Sequence, residues 1–321
     1  MKTISLGKFR GLAQASTSKS VFSILALDHR NNLRQAMNPA DPQQVTIRDM
    51  VAFKSNVVKY VGPKSSAVLL DPQWGAAQCI ENSSLPGNVG LICAVEETGY
   101  TGDPQARKSR ILPGWSVEKA KRMGASAVKL LVYFHPHSET AKAIEELICM
   151  VAEDCEKAEI ALFLEPLSYP LTDGKKLAPS EKKPVVIETA RRLSVLGADV
   201  MKVEFPLDIG FEADEKLWAE ACSELNQVSA VPWVLLSASV DFETYCRQVR
   251  IACDAGASGV AAGRAVWKES VGKTFEESTK FLNETASSRM QRLTEICNQT
   301  ATPWTKYFKT LDIDADWYLT Y

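Results

Sequence analysis

The feature that most constrains this chain is a repeated alternation, in which short β-rich apolar runs are separated by longer amphipathic stretches from near residue 22 to near residue 270. An apolar run bounded by turn residues fits a strand buried on both faces, and such strands belong to parallel sheets covered by helices. Candidate strands cover 22–28, 67–71, 91–95, 127–133, 160–165, 200–205, 233–237 and 259–263. Helical patterns lie near 42–60, 116–123, 138–157, 181–196, 212–228 and 242–255, with Gly197, Pro232 and Gly256 as breakers at the joins. Eight such units suit a (β/α)8 barrel better than two doubly wound halves, which usually bring a linker and a Gly-rich nucleotide turn. The expected fold is therefore α/β, a single TIM barrel domain over residues 1–321. Residues 275–321 form a C-terminal helical and aromatic extension, packed on the barrel or on a neighbouring subunit; its Trp304, Tyr307, Phe308, Trp317, Tyr318 and Tyr321 are expected to be core rather than binding site.

Charge narrows the partners. A formal net charge of -2, with no basic block and no interleaved basic and aromatic patch, gives no footprint for nucleic acid or an anionic membrane. The N-terminal residues show no sustained apolar segment with a cleavage site, and no apolar run is long enough to span a bilayer, so cytoplasmic residence is the expectation. Eight cysteines without C-x-x-C spacing read as small buried hydrophobes rather than disulfides or a zinc site.

In barrels of this kind the chemistry sits at the C-terminal ends of the strands. Lys202, within the sixth candidate strand, stands where a buried strand is expected, and a buried cation is costly unless paired or neutralised. One chemistry that needs a neutral lysine is Schiff-base formation with a carbonyl; the plainer reading is an ion pair with Glu165 or Glu204. Around it the strand ends carry Asp28, Asp71 and Glu165, with Lys129 inside strand four. Lys202 and Glu204 are two apart and share a face, so both point into the barrel if either does. Two interior lysines would lower each other's amine pKa while the acids shuttle protons. A buried salt-bridge network is the competing reading, and such networks are poor sources of stability.

Strand seven ends in Leu236-Ser237-Ala238-Ser239 and strand eight in Ala262-Gly263-Arg264. Loops after these two strands commonly cradle a phosphate; Ser237, Ala238 and Gly263 let the backbone approach, and Arg264 offers a bidentate donor. The histidines are His29, His135 and His137. His135 and His137 supply at most two ligands from a short loop, so neither a metal nor any other cofactor is expected.

In this order, the following motifs resemble the class I tagatose-1,6-bisphosphate aldolases and their relatives, the sulfofructosephosphate aldolases, over nearly the whole chain: Ala26-Leu27-Asp28-His29-Arg30, Ser66-Ala67-Val68-Leu69-Leu70-Asp71-Pro72, Glu97-Thr98-Gly99-Tyr100, Gly114-Trp115-Ser116-Val117, Gly124-Ala125-Ser126-Ala127-Val128-Lys129, Phe163-Leu164-Glu165, Met201-Lys202-Val203-Glu204-Phe205-Pro206, Leu235-Leu236-Ser237-Ala238 and Ala262-Gly263-Arg264-Ala265-Val266-Trp267. The resemblance implies metal-free cleavage of a ketose bisphosphate to dihydroxyacetone phosphate and an aldehyde. It places the Schiff-base lysine on Lys202, the catalytic glutamate on Glu165, and the supporting acid and lysine on Asp28 and Lys129. It puts the phosphate of the dihydroxyacetone half on Ser237, Gly263 and Arg264, and the distal anion on Arg30 and Lys54. Asp28-His29-Arg30 departs from the usual Asp-Gln-Arg of the tagatose enzymes. The compact 207–211 loop looks like the sulfofructosephosphate branch, whereas Glu97-Thr98-Gly99-Tyr100 and Ala301-Thr302-Pro303-Trp304 look like the tagatose branch.

The leading expectation is thus a homo-oligomeric aldolase acting on a small sugar phosphate. A non-catalytic barrel that senses sugar phosphates is the reading from another class, and a metal-dependent lyase using His135 and His137 is a third.

Overall fold

The computed structural model describes residues 1–174, 176–238, 240–319 and 321. Its centre is a closed barrel of eight strands: β1 (Phe22–Ala26), β2 (Ala67–Leu70), β3 (Gly90–Ala94), β4 (Ala127–Tyr133), β5 (Ala161–Leu167), β6 (Val200–Val203), β7 (Trp233–Leu236) and β8 (Gly259–Ala262). All neighbours are parallel and follow chain order, with β8 closing on β1 through Gly259 opposite Phe22 and Val260 opposite Ser23. Every expected strand is present, and the ends differ by two residues at most.

Helices wrap the barrel: α1 (Leu6–Ala15), α2 (Asn31–Met37), α3 (Ile47–Val61), α4 (Ala76–Glu81), α5 (Val117–Met123), α6 (Ala141–Lys157), α7 (Pro179–Leu193), α8 (Glu215–Val228), α9 (Phe242–Asp254), α10 (Arg264–Trp267), α11 (Phe275–Phe281) and α12 (Ser287–Thr300). Of the longer ones, α3, α8 and α9 start where short polar side chains satisfy free N–H groups. Thr46 and Asp49 form a capping box on α3, and Asp241 caps α9 by accepting from the Thr244 N–H. The buried stripe of α3, Met50, Lys54, Val57, Val58 and Val61, recurs at three and four residues and faces the outside of the barrel wall.

Inward residues alternate along each strand. Phe22 and Phe163 meet edge to face at 5.3 Å in the lower barrel, and two residues further along β5, at its C-terminal end, Glu165 replaces an apolar side chain. Gly259 opens β8 at φ 136°, and a Cβ there would lie 1.9 Å from the Phe22 carbonyl oxygen, so only glycine lets the last strand close on the first.

The N-terminal face is sealed by α1. A Cβ on Gly11 would lie 2.1 Å from the Ser126 carbonyl oxygen, which shows how closely helix and barrel backbones meet. The fully buried Lys8 ammonium reaches Asp199, just before β6, at 3.0 Å and Glu156 at 2.6 Å. The chain ends join beside it, with Lys2 and Thr3 pairing in parallel with Phe308 and Lys309. The aromatic extension is part core and part surface in the single chain. Trp304 is 1% exposed, edge-on to Phe9 at 4.8 Å, and Phe308 is buried. Trp317, Tyr318 and Tyr321 remain exposed, because beyond Lys309 the chain runs off the sheet edge and acidic residues alternate with the apolar ones.

Candidate active site

The alternation along the strands opens a cavity of about 330 Å³ at the C-terminal mouth. Ala26 and Asp28 with Arg30, Leu131 and Tyr133, Glu165 and Leu167, Lys202 and Glu204, and Ala261 and Gly263 line it from strand ends two residues apart. Lys202 lies on its floor with Nζ 2.5 Å from Glu165 Oε1. It is 5% exposed. Neighbouring Lys129, fully buried, reaches Asp28 Oδ2 at 2.6 Å, Glu96 Oε1 at 2.6 Å and Glu165 Oε2 at 3.3 Å. Glu165 therefore bridges the two lysines.

Electrostatics separate the roles of these groups. Burial would lower the Lys129 amine, but Asp28, Glu96 and Glu165 outweigh it and hold the ammonium well above its ordinary range. Burial would raise the Asp28 carboxyl, but the ammonium groups of Lys129 and Lys202 outweigh it and keep the group ionised far below the usual carboxylate range. The expectation that paired lysines depress each other is thereby corrected for Lys129: three carboxylates surround it, so its nearest field is negative. The floor carries three acids, Asp28, Glu96 and Glu165, against three cations, Lys129, Lys202 and Arg30.

Glu96 was not among the sequence candidates. Its side chain holds Lys129 and also accepts the Leu131 N–H at 3.0 Å, while its carbonyl accepts from Arg30 at 2.8 Å. The rule that picked out Asp28 and Asp71, an acid just past a strand end, would have found it at 96. Arg30 lines the cavity but is already engaged by Glu96 and by Gln73 at 3.0 Å. Lys54 does not line the cavity. It sits on the buried stripe of α3 and ion-pairs with Asp71. The helix packs outside the barrel wall, so its inward face meets the wall rather than the lumen. Asp71 is correspondingly occupied, also accepting from the Gln73 and Trp74 N–H groups at 3.1 and 2.8 Å. Glu204 faces the cavity and accepts from the Ser168 N–H at 2.8 Å and hydroxyl at 2.5 Å, which ties the β5 loop to β6.

Across the floor from Glu165, the β7 and β8 loops meet. The Gly263 N–H donates to Ser237 Oγ at 2.8 Å, and Ser237, Ala238, Gly263 and Arg264 line one corner of the cavity. Arg264 has no ion-pair partner among the described residues, and partial burial lowers its guanidinium pKa. Ser239, the next residue of that loop, lies outside the described residues. His135 and His137 lie together away from this cavity, beside α7, and among the described residues no group of three His, Cys, Asp or Glu side chains is placed to hold a metal ion.

A protein-family profile described as the DeoC/LacD family aldolase matches residues 22–269, the whole barrel from β1 to the turn beyond α10. The chain belongs to the DeoC/LacD aldolase family. It is a lyase. Among curated relatives, tagatose 1,6-diphosphate aldolase 2 of Streptococcus mutans is 30% identical, covering 94% of this chain and 98% of that protein. Tagatose 1,6-diphosphate aldolase of Streptococcus agalactiae serotype V is 31% identical, covering 92% and 97%. A solved structure of a Schiff-base-forming fructose-1,6-bisphosphate aldolase superposes with a TM-score of 0.61 at 23% identity over 89% of this chain and 98% of that one, a likeness of fold. Among the described residues no helix is long and apolar enough to cross a membrane.

Proposed function

We propose that this family member is a class I aldolase that cleaves a ketohexose 1,6-bisphosphate, tagatose 1,6-bisphosphate foremost, into dihydroxyacetone phosphate and glyceraldehyde 3-phosphate. The observation that carries the reading is Lys202 on the cavity floor with Nζ 2.5 Å from Glu165, facing an anion corner built from Ser237, Gly263 and Arg264. The names of the curated relatives support a bisphosphate substrate.

Three acids against three cations suggest how a neutral amine arises. A proton passing from Lys202 to Glu165 along their hydrogen bond leaves the floor's net charge unchanged, and Lys129, held charged, steadies the Glu165 carboxyl in either state. The amine then adds to the C2 ketone and passes one of its protons to the new alkoxide, and protonated Glu165 gives a second proton to that carbinolamine oxygen, which leaves as water. Glu165, now a carboxylate, takes the C4 hydroxyl proton. The C3–C4 bond breaks, its electron pair enters the iminium as an enamine, and the aldehyde departs. The same carboxyl returns the proton to C3, and water hydrolyses the restored iminium to free dihydroxyacetone phosphate and Lys202. Asp28, kept ionised by Lys129, acts as a fixed acceptor for substrate hydroxyls rather than as the proton carrier expected from the sequence.

The test is a substrate panel read by dihydroxyacetone phosphate release. Tagatose or fructose 1,6-bisphosphate should give the highest kcat/KM, and 6-deoxy-6-sulfofructose 1-phosphate a lower one. Preference for the sulfonate would move the assignment to the sulfofructosephosphate branch. Binding of all three without release would favour the sensing barrel.

A further inference from the structure

The His29 imidazole occupies the gap between the catalytic floor and the anion corner. It follows Asp28 at the β1 end and lines the cavity with Gly263 and Arg264. Its Cε1 lies 3.3 Å from where a Cβ on Gly263 would be, so the absence of a side chain at 263 makes room for this ring. The ring is fixed from behind by Trp267, edge-on at 5.2 Å, whose own N–H is anchored on the Ala26 carbonyl at 3.1 Å. Nδ1 is sealed from solvent without a hydrogen-bond partner, its nearest acid being Asp28 Oδ1 at 4.0 Å. Nε2 is the other ring nitrogen, and the ring lines both this cavity and a smaller one against Trp267 and Lys268. A buried polar nitrogen without a partner is costly to keep, and nothing in the carbon–carbon chemistry above uses it.

We propose that His29 completes the anion corner as a direct ligand of the substrate phosphate, donating to it from Nε2 beside Arg264 and Ser237. The proposal rests on the reading of this corner as the phosphate half-site but not on imine formation at Lys202.

The groups facing the ring explain why the ligand is conditional. Arg264 on α10, Lys202 on β6 and Lys54 on α3 oppose its protonation; Asp28 on β1 favours it. Burial is the main cause and the cations add to it, lowering the imidazole to about 4, so the free enzyme holds it neutral at pH 7. Asp28 favours the tautomer with the proton on Nδ1, which leaves Nε2 bare. A phosphate dianion arriving beside Arg264 cancels that cation's repulsion. His29 then takes up a proton at Nε2, and the neutral acceptor becomes a charged donor. Phosphate binding is thereby coupled to uptake of one proton.

sn-Glycerol 3-phosphate carries the phosphate but no ketone, so it cannot form an imine and tests this corner apart from Lys202. With three histidines in the chain, imidazole NMR resonances are readily assigned by single substitutions. Saturating glycerol 3-phosphate should raise the His29 pKa from about 4 by about three units or more, enough to hold the ring charged at pH 7, and glycerol should leave it in place. Titration calorimetry in buffers of different ionisation enthalpy should show proton uptake that His29→Gln abolishes. The same variant should raise KM for the bisphosphate about tenfold while kcat changes less. An imidazole unmoved by glycerol 3-phosphate, or a His29→Gln variant with unchanged KM and unchanged proton uptake, would overturn the proposal.

Discussion

Glu96 shows what a single side chain contributes to this floor. It anchors Lys129 and Arg30 together at the edge of the cavity. Glu96→Gln keeps the shape and removes the charge, leaving Lys129 with two carboxylates. At ~1–3 kcal/mol for a charged hydrogen bond, kcat should fall about 10- to 100-fold with KM nearly unchanged. Steady-state kinetics beside an unfolding curve checks this, and a loss of stability with intact kcat would make Glu96 structural only. The titrating groups set a stability profile of definite sign. His29 has a folded pKa below its unfolded value near 6.5, so the unfolded chain binds more protons as pH falls from ~6.5 toward about 4, and stability drops over that window. Burial lowers His135 and contributes with the same sign. Asp28 is depressed, so its contribution is present above its unfolded pKa of ~3.9 and fades only as pH falls toward its lower folded value. Lys129 is raised, so its contribution is complete below its unfolded pKa of ~10.4 and fades only above that. Burial raises the thiols of Cys93, Cys155 and Cys222, so stability should hold to about pH 8.5 and fall above it as the unfolded chain loses those protons first, and His29→Gln should flatten the slope between pH 6.5 and 4 in denaturant titrations. An unchanged slope in that variant would contradict the sign given to His29.

The strands made most of the site legible. Once each apolar run is taken as a barrel strand, period-two alternation places Asp28, Lys129, Glu165 and Lys202 in one lumen, and the order of the strands places Ser237 and Gly263 on the two strand ends between Lys202 and Asp28. Lys54 escaped this logic because it lies on a helix. A helical lysine on an apolar stripe is legible as buried, but whether it meets the lumen or the outer wall depends on tertiary packing. Lys8 on α1 is a parallel case, a cation buried against Asp199 at the sealed end of the barrel. Its removal tests whether the two ends are independent. Lys8→Met strands Asp199 in the interior and should cost about 3 kcal/mol or more of unfolding free energy. Because the pair lies at the face opposite the cavity, kcat at 25 °C should stay within about twofold of the native value. A matching collapse in kcat of the folded variant would show that the two ends communicate.

At the scale of the molecule, the barrel is closed twice, by β8 on β1 and by the chain ends on each other. Composition announced an aromatic C-terminus but not how far it packs, since alternating aromatic and acidic residues fit a buried edge or an exposed one equally well. Trp304 belongs to the fold, and Trp304→Ala should cost about 3–5 kcal/mol. Removal of residues 310–321 should leave the unfolding midpoint and the activity nearly unchanged, as followed by thermal denaturation and initial rates. A large loss would show that the exposed aromatics are covered in the functional enzyme. The account as a whole turns on the amine at the centre of the lumen. Borohydride reduction in the presence of tagatose 1,6-bisphosphate, followed by peptide mass spectrometry, should place a reduced dihydroxyacetone phosphate adduct on Lys202 and none on Lys202→Met. An adduct on a different lysine, or full activity in Lys202→Met without any adduct, would contradict it.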